Sequence, residues 1–210
     1  MLELNQFPHS AFCLKVRMVL EAKALNYKAK EITPGIGQVA IFRLSGQRQV
    51  PVLVDGENVI SDSTAIIRYI EEINPEPKLI PEDPSEEAIM HLIENWADTT
   101  LAKSVLNTLI QAAAIDPDLR IALLPDEVPS KIQNIISGLS CEVINDVSVF
   151  LNAGKGSALF SNLEKLSNLL VKNKWVIGNR MSFADIAIAA QLSLLRFPLS
   201  AGEKLAGKGC

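Results

Sequence analysis

Four prolines fall within eleven residues, Asn74 to Pro84 (NPEPKLIPEDP), and they divide the sequence into two parts with different patterning. Proline has no backbone N–H and clashes with the preceding turn, so no helix runs through this stretch. Before it, short strand-like and helix-like segments alternate; after it, no strand pattern recurs. The expected organisation is an α/β domain at residues 1–74, a linker at 75–84 and an all-helical domain at 85–210.

In the first part, Leu2–Phe7 is short and stops at Pro8, which favours a strand over a helix. From Ala11 to Leu25, the apolar residues Phe12, Val16, Val19, Leu20 and Ala24 form a helical stripe, with Ser10 placed to cap it. Tyr27–Ile32 reads as a second strand, and Gln38–Leu44 as a short helix after a loop with Pro34, Gly35 and Gly37. Pro51–Val54 and Asn58–Ile60 flank Asp55-Gly56, a tight-turn signal for a hairpin. Asp62-Ser63-Thr64 then opens a helix expected to bury Ala65, Ile66, Tyr69, Ile70 and Ile73. The order is β-α-β-α-β-β-α. In the second part, helices are expected over Ser85–Ile115, about Pro129–Leu151, Ser157–Lys172 and Ser182–Leu195.

Composition narrows the function. With 48% hydrophobic and 21% charged residues, the chain has the material for packed cores and is not a disordered polymer. Net charge is −4 and the 20 basic residues are scattered, which argues against nucleic acid as a partner. Cys13, Cys141 and Cys210 form neither a disulfide framework nor a CxxC pair, and with only His9 and His91 a metal site is not expected. The N-terminus lacks a signal-peptide pattern and no run is long enough for a membrane span. A cytoplasmic protein with reduced thiols and no membrane partner is expected.

Chemistry concentrates at three places. Pro8-His9-Ser10-Ala11-Phe12-Cys13 joins a strand end to a helix start, where α/β sheets bind ligands and where helix N–H groups favour an anion. A bound thiolate is such an anion, and Ser10 can donate a hydrogen bond to it. Ser10 as a simple helix cap and Cys13 as a small buried residue are the competing readings. Gln49-Val50-Pro51 opens a strand with a proline, which by itself needs no special purpose. Asp62-Ser63 either caps its helix or holds a ligand, Ser63 taking a carboxylate and Asp62 an ammonium or amide. A fourth motif, Gly178–Asp185, has capping-box spacing between Ser182 and Asp185, flanked by Met181 and Ile186 as a hydrophobic staple; it reads as structural.

Together these pieces resemble the glutathione S-transferase family over nearly the whole chain. The ordered set is S-x-x-C-x-K-V-R at Ser10–Arg17, Q-V-P-V-L at Gln49–Leu53, D-S-T-A-I at Asp62–Ile66, the proline-rich linker, and G-N-R-M-S-F-A-D-I at Gly178–Ile186. The runs TPGIGQ and FRLSGQRQVPVL resemble a cyanobacterial, chi-like subset. The resemblance implies a thioredoxin-like N-terminal domain, a helical C-terminal domain, a homodimer, and glutathione as co-substrate with a hydrophobic electrophile as its partner. By position, it implies that Ser10 stabilises the glutathione thiolate as in the serine-type classes. It implies that Gln49 contacts glutathione, that the Val50 backbone pairs with the cysteinyl unit before a cis-proline at Pro51, and that Asp62 and Ser63 bind the γ-glutamyl group.

Some positions depart from the family pattern. Phe7 stands where tyrosine-type classes place a catalytic hydroxyl, and Ser10 stands where cysteine-type classes place their first cysteine. Gln38 and Arg48 are the candidates for the glycyl carboxylate. The sequence stops at Cys210, earlier than is usual for the family, so helices that cover the electrophile pocket are expected to be absent. The expected function is detoxifying conjugation of glutathione to hydrophobic electrophiles. The alternatives are a non-catalytic binding protein of this fold, and thiol–disulfide or peroxide chemistry through Cys13.

Overall fold

A computed structural model of the chain describes residues 1–33, 37–124, 128–140, 157–198, 201 and 203–208. Two compact units appear, Met1–Asn95 with Asn173–Ala190, and Trp96–Lys172 with Gln191–Cys210.

The first unit contains β1 (Leu2–Gln6), α1 (Ala11–Ala22), β2 (Tyr27–Glu31), α2 (Gly37–Ser45), β3 (Val52–Asp55), β4 (Asn58–Ser61), α3 (Ser63–Ile73) and α4 (Pro84–Trp96). The sheet order is β2-β1-β3-β4, with β1 parallel to β2 and antiparallel to β3, and β3 antiparallel to β4. This is the thioredoxin-like arrangement expected from the β-α-β-α-β-β-α order, followed by helices.

Local chemistry sets the element ends. α1 stops at Ala22 rather than Leu25: Ala24 takes a φ of 51°, and the Leu25 amide turns back to the Leu20 carbonyl at 2.9 Å. In the hairpin, Asp55 pairs with Asn58, so the two-residue turn is Gly56-Glu57 rather than Asp55-Gly56. Gly56 has a φ of 61°, the conformation that glycine adopts without steric cost. On α3 the buried stripe is Ser63, Ile66, Ile67 and Ile70, whereas Ala65 and Ile73 are exposed and Tyr69 is half-buried. The stripe keeps the i, i+3, i+4, i+7 spacing, but a serine stands at its head.

The first core joins Leu4 of β1, Val16, Val19 and Leu20 of α1, Leu53 of β3, Ile66, Ile67 and Ile70 of α3, and Met90 of α4. Phe183 and Ile186 complete it. The linker is pinned to this unit. Lys23 is buried and donates to the carbonyls of Asn74 at 2.7 Å and Pro77 at 3.0 Å, and it pairs with Glu71 at 2.6 Å. Glu71 in turn accepts from the Leu79 amide at 3.0 Å. The peptide bonds before Pro51 and Pro77 are cis.

The helical residues continue through a π-helical turn at Ala97–Leu101 into α5 (Ala102–Ile115). Next come α6 (Pro117–Ala122), α7 (Ser130–Ser137), α8 (Ser157–Leu170) and α9 (Phe183–Leu192). α6 was not expected; Asp116 caps it, accepting from the Asp118 and Leu119 amides, and Pro117 sits in its first turn. The expected helix from Pro129 is described only to Ser137; residues 141–151 of it lie outside the described residues.

In the second unit, Leu109, Leu119, Ala122, Phe197 and Leu205 form a core. Arg120 is buried there and donates to the carbonyls of Ala113, Ala114, Ile136, Ser137 and Leu139 at 2.8–3.0 Å. A guanidinium among the last carbonyls of α5 and α7 satisfies groups that have no partner within their own helices. Among the described residues near the C-terminus, the Phe197 amide donates to the Lys208 carbonyl and the Gly207 amide to the Phe197 carbonyl, each at 2.9 Å.

The capping motif at α9 holds in a modified form. One Asp185 oxygen accepts from both the amide and the hydroxyl of Ser182, at 2.9 and 2.8 Å, and the other accepts from the Val176 amide at 2.8 Å. Met181 packs on the cluster that contains Ile186, as a staple requires. Among the described residues, no helix is long and apolar enough to cross a membrane.

Candidate functional site

Strand register assembles the site. Asn5 near the end of β1 pairs with Val52 at the start of β3, and Val52 pairs with Ser61 at the end of β4. The segments that follow or precede these residues therefore emerge at one end of the sheet. They are the Phe7–Ser10 turn into α1, the Gln49–Pro51 approach to β3, and Asp62-Ser63 at the start of α3. Three sequence motifs spread from Phe7 to Ser63 meet there because two strand pairs are in register.

Ser10 is held by its own backbone. Its amide donates to the Phe7 carbonyl at 3.0 Å, and its carbonyl accepts from Leu14 at 2.9 Å as α1 begins. The Ser10 Oγ accepts from the Cys13 amide at 3.3 Å, so the capping reading holds. Arg17 braces the turn from α1, donating to Gln6 Oε1 at 2.8 Å and to the Pro8 carbonyl at 3.1 Å. The Phe7 ring meets His9 edge to face at 5.4 Å.

Cys13 is fully buried, and burial pushes its thiol above the ordinary value. Hydrogen bonds from the Phe7 backbone and the Ser10 side chain, and the Arg17 charge, oppose that rise without reversing it. Cys13 therefore rests as a neutral thiol. Such a sulfur is a weak hydrogen-bond acceptor.

The approach to β3 is open. Gln49 is exposed, Val50 half-buried and cis-Pro51 buried. Among the described residues, the Val50 amide and carbonyl have no hydrogen-bond partner. The Arg48 guanidinium lies over the Phe42 ring at 5.8 Å, and Gln38 is exposed on α2.

At α3, Asp62 takes a φ of 77° and a ψ of 130°, unusual for a non-glycine residue. Its Oδ1 accepts from the Thr64 amide at 3.0 Å and the Ala65 amide at 3.1 Å. Ser63 is 4% exposed, and among the described residues its amide and hydroxyl have no partner. Both lie where the helix N-terminus favours an anion. The capping reading thus holds for Asp62 through its Oδ1, whereas Ser63 takes no part in the cap.

A model of the glutathione S-transferase N-terminal domain matches residues 4–78, which hold all three segments. Over those residues the chain carries a glutathione S-transferase N-terminal domain. A zeta-class glutathione S-transferase from Euphorbia esula is 31% identical over 57% of this chain and 56% of its own length. FtsZ-localized protein A from Caulobacter vibrioides is 27% identical over 92% of this chain and 77% of its own length. Among solved structures, a glutathione S-transferase from Rhodospirillum rubrum F11 superposes with a TM-score of 0.67 at 26% identity, covering 97% of this chain and 80% of that one. The matched span of the Euphorbia relative is thus only about half of that protein.

Among the described residues, the polar groups left open at this end of the sheet are the Ser10 hydroxyl proton, the Val50 main chain, and the amide and hydroxyl of Ser63.

Sequence reasoning missed the buried charges near this site. Lys15 is 1% exposed, and its Nζ lies 2.7 Å from Glu94 Oε1 and 3.1 Å from Thr64 Oγ1. The signal was present: Lys15 follows Ala11 and precedes Val19 by four residues each, on the buried face of α1.

Proposed function

We propose that this protein is a glutathione transferase that adds the glutathione thiolate to hydrophobic electrophiles in the cytoplasm, as a homodimer. The observation that carries this reading is the Ser10 hydroxyl, fixed at the start of α1 with its Oγ engaged by the Cys13 amide. Accepting that bond leaves the hydroxyl proton available to donate to the glutathione sulfur.

A free thiol near pKa 8.5 is only a few per cent ionised at neutral pH. Lowering it by about two units takes about 2.7 kcal/mol of differential stabilisation. One hydroxyl donor together with a helix N-terminus has the required size. Ser63 takes the γ-glutamyl carboxylate, with Asp62 beside it for the ammonium. The Val50 backbone pairs with the cysteinyl unit and the Gln49 side chain adds a polar contact. Holding the electrophile over the sulfur supplies the rest of the acceleration. The exposed Val39, Phe42 and Leu44 on α2 are apolar side chains that a second copy can cover.

The deciding experiment is a titration of protein-bound glutathione by thiolate absorbance, with turnover measured on aryl halides, isothiocyanates, peroxides and activated alkenes. A bound-thiol pKa near 6.5 with conjugation supports the reading. A pKa unchanged from buffer rejects it.

A second reading, binding without turnover, draws on the similarity across most of the chain to FtsZ-localized protein A. It is supported if glutathione binds tightly while every electrophile is left unconverted.

A further inference from the structure

A buried ion pair seldom stabilises a fold more than apolar residues of the same shape, so its presence asks what geometry it fixes. Here the pair is Lys15 of α1 and Glu94 of α4, with side chains 1% and 3% exposed and 2.7 Å apart. Thr64 closes the arrangement: it accepts from Lys15 at 3.1 Å and donates to the same Glu94 oxygen at 3.0 Å. The other Glu94 oxygen faces His91 Nδ1 at 3.3 Å, and His91 Nε2 faces Glu87 at 3.7 Å.

The position of this brace matters more than its strength. Thr64 directly follows Ser63, and its amide is already held by Asp62. Its backbone is thus fixed from the capping side and its side chain from the α1–α4 side. What remains free in that turn is the amide and hydroxyl of Ser63. Lys15 meanwhile belongs to the helix that Ser10 caps. The brace spans the interval between the two ends of the tripeptide site.

Resting on the glutathione reading above, we propose that Thr64, with Lys15 and Glu94, is a positioning element that sets Ser63 for the γ-glutamyl carboxylate. It acts through Ser63 and touches no substrate atom. The Thr64→Val change keeps the shape and removes the bridging hydroxyl.

The test is a double-mutant cycle with Ser63→Ala, read by calorimetric titration of glutathione. Thr64→Val is expected to raise the glutathione Kd about fivefold in the otherwise native protein. In the Ser63→Ala background it is expected to change Kd by less than about twofold, because the group it positions is gone. Thr64→Ser restores the native Kd, and the bound-thiol pKa stays constant throughout. If Thr64→Val does not fold by circular dichroism, the double variant Lys15→Met/Glu94→Leu removes both charges together and is expected to show the same dependence on Ser63.

An unchanged Kd in Thr64→Val overturns the proposal, as do equal losses with and without Ser63, which would mark general loosening. Wild-type protein that fails to bind glutathione removes the functional reading and this inference with it. Native binding with an indifferent Thr64→Val removes this inference alone.

Discussion

The Ser10 hydroxyl oxygen lies 3.3 Å from the Cys13 amide nitrogen, one helical turn further along α1. This bond engages one lone pair of the oxygen, and the hydroxyl keeps its proton to donate.

Ser10→Ala is therefore expected to bind glutathione within about threefold of the native Kd, because one contact among several is lost. The bound-thiol pKa should rise by about one to two units, with conjugation at pH 7 falling roughly ten- to a hundredfold. Absorbance titration and a pH–rate profile check both. An identical profile in native and variant protein removes Ser10 from the mechanism.

Ser63→Ala is expected to act on affinity instead. Losing the Ser63 hydroxyl should raise the glutathione Kd about tenfold, with the bound-thiol pKa unchanged. Calorimetry with a parallel thiolate titration separates the two effects; equal affinities reject the assignment.

Cys13→Ala tests the redox alternative. Conjugation is expected within about twofold of native, and intact mass after glutathione disulfide treatment should show no adduct on Cys13 of the folded native protein. Because burial raises the folded thiol pKa, its contribution to stability is complete below the unfolded value near 8.5 and is lost as pH rises through the folded value. Urea midpoints from pH 7 to 10 should fall less steeply in Cys13→Ala. Matching slopes contradict the burial argument.

Glu94 gives the opposite sign. Burial pushes its carboxyl up, but the Lys15 charge and hydrogen bonds from Lys15, Thr64 and His91 outweigh burial and hold it below the ordinary range. Its contribution is present above the unfolded value near 4.3 and is lost as pH falls through the folded one. Glu94→Gln is expected to cost about 3 kcal/mol at pH 7, and the gap to native should narrow by pH 3. Denaturation at the two pH values checks this; a gap independent of pH would contradict it.

Arg120→Met is expected to destabilise the second unit by on the order of 3 kcal/mol, since it leaves several buried carbonyls without a donor. Chemical denaturation with a helical signal reads the loss. A cost below about 0.5 kcal/mol would show that water replaces the guanidinium.

Local periodicity made most of the elements legible. β1, β2, α2, the hairpin and α3 appear within a residue or two of their expected positions, because alternation, turn residues and caps act over a few neighbours. The limits of α1 and the hairpin turn were displaced by the left-handed Ala24 and by the Asp55–Asn58 pair, which leaves Gly56-Glu57 as the turn. Pro117 after Asp116 was a readable start for α6, and it was passed over. At the site, the motifs named the residues, but only the Asn5–Val52–Ser61 register puts them at one sheet end. Lys15 and Glu94 resisted because charge suggests solvent, and their burial depends on each other across 79 positions.

The Gly56-Glu57 turn stands at the far end of the hairpin from the cis-proline and the Asp62-Ser63 start of α3. Four residues of strand, about 13 Å at the usual rise, separate the two ends. A peptide tag or a fluorescent reporter grafted into that tip is expected to leave intact the pairing that brings the three candidate segments to one sheet end. The reversal that makes the site thus also leaves a natural attachment point on its opposite side.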